Sequence, residues 1–411
     1  MNSNPSPSNN VNIPLIRTLL FAILTFSFNC GLVLSQTPQS PPPLLFNTRN
    51  GLGFTAADSS FGLNMRFRIQ SRFGYTSISD EDLEPESFDI RVRRCRLRFD
   101  GFAFSPRLTY NLQLSFSRAD MDWDNSQVPN VLRDAMVQYR VSKNFSIGLG
   151  QGKLPGNRQR VISSGALQFT DRSIVNGALT LDRDVGLFAN WQGSQGTLYY
   201  ILKTALTAGE GRNPNETDKG LAYTARLELL PLGKFTEDGD YFEGDLVREQ
   251  RPKLSLAGVV HWNDDAVRTQ GQLGKSLYSP RDIFAWQADA LLKYRGMAIS
   301  SEYLSRSADS SITVSPEDSA LVRFVYSGWG VNTQVSYCFK SLWEIALRHT
   351  YLEPNQSISA YEDARTQLAA GITKYLSRHK VKLQSDVTYE LPSNGEPNGF
   401  YLIRFQVEVG I

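Results

Sequence analysis

Long apolar runs are missing from most of this sequence. After residue 35 no stretch approaches the run of about 20 apolar residues that a membrane-spanning helix needs. The mean hydropathy is negative, which would suit a secreted soluble protein. Hydropathy averages are nearly blind to transmembrane β-barrels, however, because only half of the residues in their strands are apolar. The absence therefore excludes a helical membrane domain and leaves a soluble protein and a barrel open.

Cysteine is also scarce, with three residues in the chain. Cys95 and Cys338 lie inside predicted strands; a disulfide between them stays open in an oxidising compartment, but two barrel-wall residues are the better interpretation. Zinc-type Cys/His spacing, a Gly-rich phosphate loop and a basic stretch suited to nucleic acid are all missing. We therefore expect no cofactor, no metal site and no nucleic-acid partner.

An enzyme would need an activated nucleophile, and the three histidines indicate none. His349 interrupts an apolar strand face, and His379 lies in a predicted short turn. His261 precedes Asp264 and Asp265, which suits a metal ligand set, but a strand end that enters a polar loop explains the pattern equally well. A lipolytic barrel would need a Ser and a His paired on its outer wall, and no such spacing is evident. The sequence favours a protein that is not an enzyme.

The first 35 residues are predicted to form a cleaved signal peptide. Arg17 is the only charged residue among them and precedes the apolar run TLLFAILTFSFNCGLVL, while Val33-Leu34-Ser35 suits a signal peptidase. A membrane anchor is the alternative, although a run of about 17 residues is short for a span. Residues 36–60 contain a proline cluster and are predicted to be a linker, and residues 61–411 are predicted to form the main domain.

Apolar and polar residues alternate with a period of two along the rest of the chain. The pattern occupies FGLNMRFRIQSRFGY (61–75), RLTYNLQLSFS (107–117), LWEIALRHTY (342–351) and the C-terminal YLIRFQVEVGI (401–411). Such segments are about ten residues long, the length that a tilted strand needs to cross a bilayer. An apolar strand face that continues to the last residue suits a barrel, where the last strand closes on the first and its apolar face meets lipid.

Short and long connections alternate between these segments. Short turns are predicted at 104–107, 141–144, 193–196, 294–297, 339–342 and 376–380, with longer polar loops between them. The pattern predicts an all-β fold, a transmembrane antiparallel β-barrel of about sixteen strands, with fourteen and eighteen still open. A β-sandwich array or a propeller predicts no such alternation. One connection, 231–253, is long and acidic where a short turn belongs; it is either an excursion or a sign that the count has slipped by a hairpin.

Arginines crowd the polar faces of the first two strands, although the formal net charge is only +2. Arg66, Arg68 and Arg72 share the polar face of the first strand. In DIRVRRCRLRFDG (89–101) the apolar phase changes at Arg93-Arg94, so we predict a β-bulge there. The arginines of this second strand that then face the lumen are Arg91, Arg94, Arg96 and Arg98. Adjacent rows of like charge destabilise a sheet, so these rows call for a functional explanation. Rings of arginine or lysine select anions in anion pores.

The predicted third outer loop, residues 153–184, is basic as well. It contains Lys153, Arg158, Arg160, Arg172 and Arg183 but only three aspartates. About 30 residues is long for an idle loop, so we expect a folded element bent into the barrel, with an exposed outer cap as the alternative. Bent inward, its cations would join the wall arginines at a constriction that binds anions. Acids could instead neutralise the wall row, and the candidates are Asp100, Asp134 and Glu344.

Three segments resemble the phosphate-selective porin O and P family, in the form common in Bacteroidetes-type bacteria. They are RRCRLRFDGFAFSPRLTYNLQLSFSRADMDWDN (93–125), GKLPGNRQRVISSGALQFTDRSIVN (152–176) and GDYFEGDL (239–246), and the resemblance extends from about residue 60 to residue 411. It implies a sixteen-stranded trimeric outer-membrane barrel whose third loop folds into the pore, where arginines and a lysine contact anions. The contact residues implied by motif position are Arg94, Arg96, Arg98, Arg158 and Arg160. The last residue departs from the pattern, because Ile411 stands where such barrels often end in Phe.

The sequence thus predicts a porin in the outer membrane of a Gram-negative bacterium, exported by its signal peptide and surrounded by lipid. We expect a homotrimer that conducts small anions passively, phosphate or related oxyanions first. The residues predicted to bind anions or line the pore are Arg66, Arg68, Arg72, Arg94, Arg96, Arg98, Lys153, Arg158, Arg160 and Arg172. A weakly selective general porin is the alternative; a structural or plugged barrel and a lipolytic barrel are more remote ones.

Overall fold

The computed structural model describes residues 44–47, 51–121, 123, 129–214, 220–393 and 398–411. The predicted signal peptide, residues 1–35, lies outside them and stays a prediction. None of the helices in these residues is long and apolar enough to cross a membrane. Strands make up most of the regular structure, and in the described part of the chain they are numbered β1 to β20 in chain order.

The first described element is a hairpin of β1 (Leu44–Asn47) and β2 (Leu52–Ala56). β2 pairs in turn with the start of β3 (Phe61–Ser77), where Leu52 lies opposite Met65. The same edge of β3 then pairs with the C-terminal strand, from Arg68 opposite Gly410 onward. The segment predicted to be a linker therefore carries a hairpin that continues the sheet beyond the end of the last strand.

Sixteen strands close into an antiparallel barrel, which confirms the predicted fold and strand count. β3 begins the barrel and pairs with the last strand, which closes it. The other barrel strands are β4 (Pro85–Ala103), β5 (Ser105–Ser115), β6 (Leu132–Arg140), β7 (Phe145–Lys153), β8 (Arg183–Gln195), β9 (Leu198–Thr207), β10 (Ala222–Leu230), β11 (Lys253–Arg268), β12 (Ser276–Tyr294), β13 (Met297–Ala308), β16 (Gly328–Cys338), β17 (Trp343–Pro354), β18 (Arg365–Ser377), β19 (Val381–Glu390) and β20 (Phe400–Gly410). β14 (Ile312–Val314) and β15 (Val322–Phe324) form a separate small sheet in the loop between β13 and β16. Cys95 in β4 and Cys338 in β16 carry free thiols.

The alternation places apolar side chains outside the barrel and polar side chains inside it. In β20, Ile403, Phe405 and Val409 are 42–45% exposed, whereas Gln406 and Glu408 are 1% exposed. This polarity is the reverse of that in a soluble protein. An apolar outer surface suits the hydrocarbon of a bilayer, and a closed ladder leaves no strand edge unpaired there. An apolar face can therefore continue to the C-terminus without a covering element.

The connection from β10 to β11, residues 231–252, is an excursion from the short-turn end of the barrel. The antiparallel pairing of β9, β10 and β11 places it at the same end as the short turns, so the strand count holds. It contains a 3-10 helix, Thr236–Tyr241, and folds into the lumen. Lys293 Nζ on β12 holds it there by donating to the carbonyls of Gly239, Phe242 and Gly244 at 2.6–2.9 Å. We refer to residues 231–252 as the inner segment.

The connection from β7 to β8, residues 154–182, also folds into the lumen, and we refer to it as the outer loop. It contains the short helices α1 (Arg158–Val161) and α2 (Ile174–Leu179). The Ser173 hydroxyl caps α2 by accepting a hydrogen bond from the Asn176 N–H at 3.1 Å. The predicted alternative of an exposed outer cap is excluded, because most of the loop is buried.

Apolar contacts hold the outer loop against the inner wall. Val175 and Leu179 are fully buried together with Leu304 of β13 and Leu352 of β17. Gly330 of β16 makes room for this contact, since a Cβ there would lie 2.5 Å from a methyl group of Val175. Burying each large aliphatic side chain stabilises the fold by about 1.5–3 kcal/mol. The loop is therefore a packed part of the barrel interior.

Candidate functional site

The outer loop packs against strands β10 to β19 and leaves a cavity of about 900 Å³ beside strands β3 to β7. Among the described residues that line the cavity, eleven arginines and one lysine accompany four aspartates. The basic residues are Arg68, Arg93, Arg94, Arg96, Arg98, Arg133, Lys153, Arg160, Arg172, Arg183, Arg212 and Arg404. The acidic residues are Asp120, Asp134, Asp171 and Asp182. A cleft lined by such an excess of one charge raises the local concentration of the opposite ion.

Strand β4 contributes the largest group of these cations. Arg94 lies opposite Gln70 of β3 and Val92 lies opposite Ser71, so Arg93 is the extra residue of a β-bulge. The bulge was predicted at this place, and it turns two consecutive arginines towards the lumen. The β4 residues on the cavity are Arg93, Arg94, Arg96 and Arg98.

Asp171 of the outer loop ties several of these arginines together. Its carboxylate forms ion pairs with Arg72 at 2.8 Å, Arg93 at 3.0 Å and Arg94 at 3.1 Å. Its backbone carbonyl accepts a hydrogen bond from Arg348 at 3.0 Å. Burial opposes the ionisation of Asp171, but Arg93, Arg94 and Arg72 together more than offset it and hold its pKa well below the usual range. Asp171 therefore stays ionised and anchors the loop to β3, β4 and β17.

Asp120 and a serine of the outer loop form a second junction. The Asp120 carboxylate forms ion pairs with Arg96 at 2.6 Å and with Arg133 at 3.0 Å. The hydroxyl of Ser164 accepts from Arg96 and from Arg68, each at 3.0 Å. Burial opposes the ionisation of Asp120, but Arg133 and Arg96 hold its pKa far below the usual range. Arg96 and Arg68 thus bridge the wall and the loop across the cavity.

Lys153 and Arg172 are held by backbone carbonyls. Lys153 Nζ donates to the carbonyls of residues 160–162 at 3.0–3.4 Å, and Arg172 donates to the carbonyls of Gln159 at 2.8 Å and Ile162 at 2.9 Å. Within the described part of the chain, neither side chain forms an ion pair with a carboxylate. Because both cations share the Ile162 carbonyl, two positive charges without a paired acid lie side by side on the cavity.

Seven of the ten residues predicted to bind anions or line the pore lie on this cavity. They are Arg68, Arg94, Arg96, Arg98, Lys153, Arg160 and Arg172. Arg66 lies on an adjoining cavity and pairs with Asp100. Arg72 is buried against Asp171. Arg158 of the outer loop is buried against the opposite wall, 3.0 Å from Asp289 of β12. The ion pairs of Arg72 and Arg158 fix the outer loop in place, and neither of these two arginines lines either cavity.

Of the three acids predicted to neutralise the wall arginines, two pair with an arginine on the cavity and one does not. Asp100 lies 3.1 Å from Arg98, and Asp134 lies 2.9 Å from Arg183. Glu344 is buried on the far side of the loop, where it accepts hydrogen bonds from Gln168 and Tyr375. Arg91, also expected inside, shares the face of Arg72, with its side chain 50% exposed and 2.7 Å from Asp89.

Some cavity residues escaped the sequence-based prediction: Arg93, Arg133, Arg212 and Arg404, with Asp120, Asp171 and Asp182. Arg404 shares the polar face of β20 with Gln406 and Glu408, so the period-two pattern contained the signal for it. The aspartates lie outside the strands, where no periodicity indicates which way a side chain points.

Comparison with known families agrees with this architecture. The family model of phosphate-selective porin O and P matches residues 63–236, which include most of β3, all of β4 to β10, the outer loop and the start of the inner segment. The resemblance seen in the sequence is thereby confirmed over that part of the chain. A search of curated protein sequences gave no match.

Solved porin structures share the fold at low sequence identity. The outer membrane channel DcaP of Acinetobacter baumannii is 11% identical with a TM-score of 0.51, and the match covers 87% of this chain and 99% of that one. OprB of Pseudomonas putida is 8% identical with a TM-score of 0.53, over 86% and 95% of the two chains. OmpT of Vibrio cholerae in its trimer form is 9% identical with a TM-score of 0.50, over 86% and 100%. These likenesses show the fold; with the family match, they support an outer-membrane porin channel.

Proposed function

We propose that this porin is a passive diffusion channel that prefers small anions, with phosphate and related oxyanions as the first candidates. The observation that carries the proposal is the cavity beside β3 to β7, where twelve described cations accompany four carboxylates. A channel that sieves by size alone does not need this excess, and neighbouring like charges on a sheet are destabilising. Function is the simplest reason for keeping them together.

The mechanism is electrostatic. An anion that enters the cavity exchanges part of its hydration shell for guanidinium and ammonium N–H donors, and the planar fork of arginine matches two oxygens of a phosphate. Lys153 and Arg172 contribute charge that no paired carboxylate neutralises. Several neighbouring cations keep each position shallow, so that the anion moves on instead of staying bound.

The cations continue towards the short-turn end of the barrel. A second cavity, of about 460 Å³, shares Arg68, Arg96 and Arg98 with the first. It adds the cations Arg66 and Lys380 and the acids Asp100 and Glu408. Its lining includes Gly410, near the C-terminal end of β20. We propose that the two cavities, which share these three lining arginines, form a basic route past the outer loop along one side of the lumen.

A weakly selective general porin is the second candidate. Asp171 and Asp120 each contact two or more arginines, and such pairs lower the effective charge that a passing ion experiences. In that case the cavity would produce a transverse field with little ion preference. The two candidates share a fold and differ in permeability.

We also propose the assembly and location that the resemblance implies. The chain would be exported by its predicted signal peptide, insert into the outer membrane with its apolar wall against lipid, and associate as a homotrimer. The trimer form of the Vibrio cholerae OmpT structure supports the last point.

Phosphate block of chloride current tests the proposal. Phosphate at millimolar concentration or below should reduce the current of single wild-type channels, because phosphate and chloride compete for the same cations. The block should weaken between 0.1 M and 1 M KCl, since the screening length falls from about 10 Å to about 3 Å. Glucose at the same concentration is the control. Equal effects of glucose and phosphate, or no block at any salt concentration, would contradict the proposal.

A further inference from the structure

We propose that the inner segment positions the cations of the outer loop, with Glu243 as the positioning residue. This inference rests on the proposed anion preference for its electrical consequences, but not for its structural ones. The inner segment and the outer loop enter the barrel from opposite ends and bond to each other in the lumen. Neither the length of the inner segment nor its acidic composition indicates such a contact.

Glu243 is the centre of the contact between the two insertions, and it is 5% exposed. Its carboxylate accepts hydrogen bonds from the Gln168 backbone N–H at 2.7 Å and from Gln159 Nε2 at 3.2 Å. Its own N–H donates to the Ala166 carbonyl at 3.2 Å. Phe242 beside it packs on Ile162 and other apolar residues of the loop. Glu243 therefore holds the outer loop at two places, at Gln159 and at residues 166–168.

A short chain of hydrogen bonds leads from Glu243 to a cavity cation. The Gln159 side chain that donates to Glu243 also accepts from the Ser173 N–H and hydroxyl, each at 2.9 Å. The Gln159 backbone carbonyl accepts from Arg172 at 2.8 Å. Gln159 is also the neighbour in sequence of Arg160, another cavity residue. Supporting contacts of this kind fix the geometry of a binding site without touching the ligand.

The inner segment is itself firmly held, so it can act as a support. Lys293 bonds three of its carbonyls, and the Asp245 carboxylate accepts from the Gly296 N–H at 2.7 Å. Arg158 of the outer loop donates to the Asp240 carbonyl at 3.1 Å and thus adds a second link between the insertions. The loop cations are fixed from inside the barrel as well as from the wall.

Removing the charge of Glu243 tests the inference, because a purely electrostatic effect and a positioning effect change the phosphate block in opposite directions. Replacing Glu243 with Ala removes a negative charge from the lumen, which by simple electrostatics would strengthen phosphate block. If Glu243 positions the loop, Glu243→Ala instead weakens the block, by roughly threefold for the lost hydrogen bonds. Glu243→Gln keeps an acceptor oxygen at the same place and should weaken the block less. Glu237→Ala is the matched control, because Glu237 lies in the same segment and pairs with the exposed Arg378.

Tryptic cleavage of folded protein provides a readout that does not depend on ion preference. Wild-type protein should resist cleavage after Arg160 and Arg172, and Glu243→Ala should be cut there, with Glu237→Ala protected like the wild type. Glu243→Gln serves if Glu243→Ala fails to fold. Protected loops in the Glu243 variants, or a block as strong as that of the wild type, would overturn the inference. If phosphate does not block even the wild type, the anion proposal fails, and the cleavage pattern alone decides whether Glu243 positions the loop.

Discussion

Removing residues 156–180 should raise single-channel conductance severalfold. The deletion takes out α1, α2, Arg160, Asp171 and Arg172, which together fill the lumen opposite β3 to β7. β7 and β8 pair as far as Lys153 opposite Arg183, so a four-residue turn can join them without disturbing the ladder. A sixteen-stranded barrel without its inward loop is wide enough to conduct water and ions. Single-channel recording in a planar bilayer measures the effect.

The matched control for the loop deletion lies in another outer connection. Residues 316–320, between β14 and β15, are exposed, and deleting them should leave conductance unchanged. Folding of both variants is checked by the shift in gel mobility that intact barrels show before and after heating. Unchanged conductance after deletion of 156–180, in protein that folds, would place the barrier to ion flow elsewhere, with the inner segment as the next candidate.

Replacing Lys153 and Arg172 together with Gln should lower the anion/cation permeability ratio by roughly fivefold. Glutamine retains an N–H donor for the backbone carbonyls that now hold these side chains, so the charge is removed while the contacts to residues 159–162 are largely kept. Because neither cation is paired with a carboxylate in the described residues, no aspartate is left unpaired by the change. Reversal potentials in a KCl gradient give the ratio.

A pair of exposed lysines provides the control for this charge change. Lys143 and Lys340 lie in short turns outside the cavity, and replacing both with Gln removes the same total charge from the chain. That variant should keep the wild-type permeability ratio. If it lowers the ratio as much as the Lys153 and Arg172 pair does, net charge rather than the site governs permeability.

Much of the barrel could be predicted because its main determinants are local. Alternation, turn length and the change of phase at Arg93-Arg94 each depend on residues close together in sequence. They gave the strand count, the bulge and the inward direction of Arg94, Arg96 and Arg98. The inward fold of the outer loop also followed, from its length and its basic composition.

The partners of each charge could not be predicted in the same way. Arg158 and Arg160 are two residues apart in one short helix, yet Arg158 is buried against Asp289 and Arg160 lines the cavity with Asp182. Which wall residue each of them meets depends on how the whole loop lies in the lumen. The position of the loop in the lumen also determines which arginines share Asp171, and it determines the contact of Glu243 with the loop. These contacts join residues that are distant in sequence, and no periodicity encodes them.

The reversal potential of single wild-type channels under a KCl gradient is the measurement to make first. A basic route beside β3 to β7 predicts a potential shifted towards the chloride equilibrium value, with the shift decreasing as ionic strength rises. A potential at zero, or one shifted towards potassium, would contradict anion preference and leave a general porin whose arginines are neutralised by Asp120, Asp171 and their neighbours.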